Sequence, residues 1–176
     1  MNKPGNSSTI VFGSFTTLGW LVTFGLGLFI ASKPYREQLL LAFEWKAFFV
    51  SLLTYTPTNI AALCLLAAFT GGCASRLISA QTASALGGDN ANPSAPVSDS
   101  QLYMSENPFS SMFRGFAVYV AFLAGVYITS TAPFVDPTAD QYARAAGATS
   151  LLAFVVGYDP TFFRNFISLA EKFKGK

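Results

Sequence analysis

The sequence is divided by the places where it carries no charge. Between Lys3 and Lys33 there is no ionisable side chain, and the apolar part of this stretch, Ile10 to Ser32, has 23 residues. At about 1.5 Å per helical residue that is long enough to cross a hydrocarbon core of about 30 Å. Lys46 and Arg76 bound a second uncharged stretch, Ala47 to Ser75, and Arg114 and Asp136 bound a third, Gly115 to Val135. A fourth, Tyr142 to Tyr158, carries Arg144 alone and has 17 residues, close to the minimum for a crossing. Arg144 can reach the interface by snorkelling.

Composition makes the same point about the whole chain. Charged residues are 11% of the 176 and hydrophobic residues 52%, whereas a soluble domain has roughly 25% charge. Too little charge is available to cover a water-facing surface. The reading is an all-α, polytopic membrane protein, a single membrane domain over 1–176. It has four transmembrane helices at about 10–32, 47–73, 115–135 and 142–158, the fourth short. The first stretch is too apolar for too long to be a signal peptide and lacks a cleavage site before Lys33.

Four further features are local. Pro57 interrupts the second stretch inside Thr54-Tyr55-Thr56-Pro57-Thr58-Asn59, where it removes a donor and predicts a kink. Lys33-Pro34 is a helix start that reads as an interfacial extension of the second span, with Tyr35 and Trp45 at headgroup level. Residues 77–109 are rich in Ala, Ser, Gly, Asn and Pro and read as a polar loop. After Asp159-Pro160, the residues Phe162, Phe163, Phe166, Ile167, Ala170 and Phe173 recur at helical spacing. They predict an amphipathic helix over 160–174 lying in the membrane interface.

Lys and Arg divide unevenly across four crossings. Lys3, Arg76, Arg114, Arg164, Lys172, Lys174 and Lys176 fall on the side of the termini, and Lys33, Arg36, Lys46 and Arg144 on the other. The positive-inside rule then puts both termini in the cytoplasm of a cell bounded by a plasma or bacterial inner membrane.

Several chemistries are disfavoured. The chain has no histidine, which removes the commonest general base and metal ligand. Cys64 and Cys73, nine positions apart, lack a redox or zinc spacing and read as small packing residues. No phosphate-loop, zinc-protease or nucleophile-elbow pattern occurs. A net charge of +2 without a basic run outside the last residues argues against nucleic acid as a partner. No enzyme, cofactor or metal is expected. The expected partners are the bilayer and either further copies or other membrane subunits.

Two patterns are candidates for function. Ser51, Thr54, Thr58 and Asn59 form a polar stripe on the second span, which would line a pore or else repair the Pro57 kink and bond to other helices. Small residues recur every four positions as Ala117, Ala121, Gly125 and Thr129 in the third span, and as Ala145, Thr149, Ala153 and Gly157 in the fourth. Such ridges let helix backbones approach closely, within a chain or between chains. The expected function is a subunit of a homo-oligomeric channel or pore. The alternative is a non-catalytic subunit that anchors or assembles a larger membrane complex.

Overall fold

A computed structural model describes residues 4–86, 107–129, 134, 137–163, 165 and 168, with the side chains of 4–6 and 82–86 excepted. The described residues form helices and no strand. In chain order these are α1 (Pro4–Phe29), α2 (Lys33–Leu41), α3 (Trp45–Thr54), α4 (Thr56–Leu86), α5 (Pro108–Thr129) and α6 (Ala139–Tyr158). Residues 160–163, 165 and 168 are also helical.

Three helices are long and apolar enough to cross a membrane, over Ser7–Phe29, Thr56–Gln81 and Pro108–Thr129. The expectation of four crossings is thus met by three among the described residues. The fourth candidate, α6, is as long as a short crossing at 20 residues, but Asp140 and Arg144 occupy its first two turns. Those two pair with each other at 2.9 Å on the surface of the helix. Its start is otherwise well built. The Thr138 hydroxyl accepts from Gln141 N at 3.2 Å, and Gln141 Oε1 accepts from Thr138 N at 3.1 Å. This reciprocal capping satisfies two donors that the helix itself cannot.

The second apolar stretch departs from the expected kinked span over 47–73. It breaks into two helices. Tyr55 is extended (φ −67°, ψ 123°) and separates α3 from α4. The cause is Pro57: its ring crowds the carbonyl four residues back, that of Leu53, and it has no N–H to give it. The crossing segment therefore starts at Thr56, after the break, and α3 is a separate apolar helix of ten residues. The segment before it is likewise a helix of its own, not an extension of the second span. Ala42 (φ −153°) and Glu44 (φ −124°) are extended and part α2 from α3. The loop expected over 77–109 is also shorter than its composition predicted, because α4 stays helical to Leu86 and α5 starts at Pro108. Ala, Leu and Gln in 77–86 are good helix formers, and continuing an existing helix avoids a second nucleation cost. Residues 87–106 lie outside the described set.

The core sits around α4, which packs against α1, α5 and α6. Its Ile60, Leu63, Cys64, Ala67 and Ala68 meet Val118 of α5 and Tyr142, Ala146, Ala153 and Val156 of α6. The approach of α4 to α6 is backbone to backbone. A Cβ on Gly157 would overlap the Ala68 carbonyl, and one on Gly71 would overlap that of Phe154. In apolar surroundings no hydrophobic effect drives helices together, so this close van der Waals fit carries the association.

Candidate functional site

The break before Pro57 creates the most elaborate polar site among the described residues. With no N–H on Pro57, Leu53 O has no partner in its own helix. Asn59, two residues beyond the proline, supplies one: its Nδ2 donates to Leu53 O and also to Thr23 O of α1 at 2.8 Å. Its Oδ1 accepts from the Tyr142 hydroxyl of α6 at 2.6 Å. Thr58 does the parallel work one residue earlier, its hydroxyl lying 2.6 Å from Leu52 O. The carbonyls of Leu52 and Leu53 are thus both met by side chains from the first turn of α4.

Asn59 has no solvent exposure, so its amide is satisfied entirely by the protein. Both donor hydrogens and one acceptor lone pair are engaged, joining α1, α3, α4 and α6 at one point. An unpaired polar group here would cost about 1–3 kcal/mol. The site reaches along α1 through a row of contacting rings. Tyr142 lies 5.6 Å from Phe24, and Phe24 lies 5.1 Å from Trp20, centroid to centroid. Trp20 Nε1 in turn donates to Ser150 Oγ of α6 at 3.1 Å. Gly27 is required beside it, because the Tyr142 ring occupies the space a Cβ there would take.

The remaining members of the polar stripe are inward as well. Ser51 and Thr54 are buried, and the Thr54 hydroxyl donates to Val50 O of its own helix at 2.7 Å. Thr58 is half-buried. The four stripe residues are therefore gathered at the α3–α4 break, turned into their own chain.

The two small-residue ridges have different fates. In α6, Thr149, Ala153 and Gly157 are buried and Ala145 half-buried, and they form the face against α4. In α5, Ala121, Gly125 and Thr129 are exposed and Ala117 is half-buried. The face that α5 turns to α4 is Ser111, Gly115 and Val118, which the sequence reading passed over. Ala117 and Ala121 instead border an apolar groove of about 200 Å³ with Leu152, Val156, Phe162 and Phe163. Phe163 packs against the core and Phe162 is partly exposed. Asp159 starts this last segment, its Oδ1 accepting from Thr161 N at 2.9 Å. Phe166, Ile167 and Phe173 lie outside the described residues.

Thr23, Trp20, Tyr142 and Ser150 were not singled out from sequence. Tyr142 and Asn59 are 83 positions apart, and no spacing rule links them. Cys64 and Cys73 are free and buried on the core face of α4. Comparison with protein-family models, curated proteins and solved structures finds no match to this chain.

Proposed function

We propose that the protein is a non-catalytic assembly subunit of a larger membrane complex. In this reading it crosses the bilayer four times, with α6 as the fourth crossing and both termini in the cytoplasm of a plasma or bacterial inner membrane. The observation that carries the reading is the enclosure of Asn59. The side chains of Thr54, Thr58, Asn59 and Tyr142 are engaged in bonds within the chain, while the crossing windows of α1 and α5 are only 6% and 11% buried. Such helices offer neighbours a surface for packing and little polarity for chemistry or conduction.

The homo-oligomeric pore is the second reading, favoured by the outward small residues Ala121, Gly125 and Thr129, which suit close contact between copies. Its lumen would have to be lined by groups other than Asn59. Native mass spectrometry of the protein released into nanodiscs with its partners retained separates the two. One copy held among unrelated chains is the expected result. A closed ring of identical copies that conducts ions in a planar bilayer would replace the first reading with the second.

A further inference from the structure

At one end of the bundle the last turn of α1, the first turn of α2 and the starts of α4 and α6 enclose a cavity of about 270 Å³. Among the described residues, its charged lining residues are Lys33 and Arg36, both cationic. Neither has a carboxylate partner among the described residues: the ion pair at this end is Asp140 with Arg144, and Glu44 accepts from Gln38 at 2.9 Å. The Arg36 guanidinium is held over the Tyr55 ring, 4.6 Å from its centroid. Its Nε is shielded from solvent and has no hydrogen-bond partner among the described residues. A shielded, charged donor without an acceptor is costly and calls for an anion.

The helix ends at the cavity nearly cancel. The C-terminal carbonyls of α1 bring about half a negative charge, and the N-terminus of α2 brings about half a positive one. That N-terminus has no side-chain cap, and Pro34 occupies its first turn. What remains among the described residues is two full positive charges, one of them a planar guanidinium whose fork matches an oxyanion. Of the other polar groups of the lining, Thr54 donates to Val50 O and Tyr142 to Asn59 Oδ1, and the hydroxyl-bearing Ser32 and Thr56 complete it.

We propose that this cavity is a binding site for a phosphate group, held by Arg36 and Lys33 over the N-terminus of α2. The volume suits a headgroup-sized ligand better than a drug-sized one. Two sources share the chemistry, a phospholipid headgroup and free phosphate. The position supports the lipid: the apolar span of α1 ends at Phe29 and that of α4 begins at Thr56, and both residues line the cavity. The site does not depend on the assembly reading above and can stand if that reading fails.

The test is native mass spectrometry of the delipidated, full-length protein in mild detergent, titrated with phosphatidylglycerol, with phosphatidylcholine and with inorganic phosphate. The expected result is saturable retention of one phosphatidylglycerol. Lys33→Gln/Arg36→Gln should weaken it by about tenfold or more, as expected for two lost charge-assisted contacts. Arg144→Gln, which removes an exposed cation at the same end, should leave it unchanged, and Arg36→Lys should restore part of it. Displacement of the lipid by millimolar phosphate would assign the site to the free ion, and failure to displace it would assign it to the headgroup. Equal weakening by Arg144→Gln, or no preference of the unaltered protein for either anionic probe over phosphatidylcholine, would overturn the proposal. If Arg36→Gln alone lowers the thermal midpoint, the exposed Lys33→Gln still decides, because it must weaken retention without moving that midpoint.

Discussion

Asn59 shows how one side chain can be fixed by a defect elsewhere in the backbone. Pro57 leaves a carbonyl without its helical donor, and an amide two residues later is placed to supply one. The same amide then has a second donor and an acceptor to spare, which recruit α1 and α6. Replacing Asn59 by Leu removes all three bonds and strands Leu53 O in apolar surroundings, while the Tyr142 hydroxyl keeps the Phe24 carbonyl as an acceptor at 3.3 Å. We expect a loss of about 1–3 kcal/mol, from one stranded carbonyl. Tyr142→Phe removes a single donor. Hydrogen bonds between membrane helices are worth about 0.6 kcal/mol on average and about 1.7 at most, so its loss should fall in that range. Reversible unfolding in mixed micelles measures both. The double variant should cost clearly less than the sum, since the two side chains share a bond. Strict additivity would mean that the Tyr142–Asn59 contact contributes nothing.

At the scale of elements, the α3–α4 break should be separable from its repair. Pro57→Ala returns an N–H to the chain and lets Leu53 O bond within a continuous helix. The carbonyl stranded by Asn59→Leu then has a partner. Asn59→Leu in the Pro57→Ala background should therefore cost less than in the natural chain, by about 1 kcal/mol or more. An undiminished cost would show that the carbonyl of Leu53 is not what Asn59 serves. The helices themselves, and the repair role of the hydroxyls beside Pro57, were legible because they depend on local composition and on proline's missing donor. The break in place of a kink was not. Whether a chain bends or parts at a proline depends on what packs on either side, and here Asn59 makes the parting tolerable through partners far along the chain. The α5 ridge was misleading for a related reason. At about 100° per residue, Ala117 stands roughly a third of a turn from the centre of the Ser111–Gly115–Val118 face. Both series are small and regularly spaced, and only the position of α4 decides which one is used.

For the whole molecule, the two ridges give a way to distinguish folding from assembly. Gly157 lies where α6 meets α4 backbone to backbone, with no room for a Cβ. Gly125 has nothing within 4 Å of the Cβ it would bear, and it lies on an exposed helix face. Gly157→Leu should therefore force α4 and α6 apart and cost about 3 kcal/mol or more, the upper range for overpacking. Gly125→Leu should leave unfolding of the isolated chain unchanged within about 0.5 kcal/mol, as expected for a surface change. If the outward face of α5 is where neighbours pack, the same Gly125→Leu variant should lose its co-purifying chains, or its further copies, at unchanged stability. The informative quantity is the difference between the two readouts. A variant that keeps both its stability and its neighbours would leave lipid as the covering of this face, and the contact surface would then have to be sought on α1, whose crossing window is buried even less.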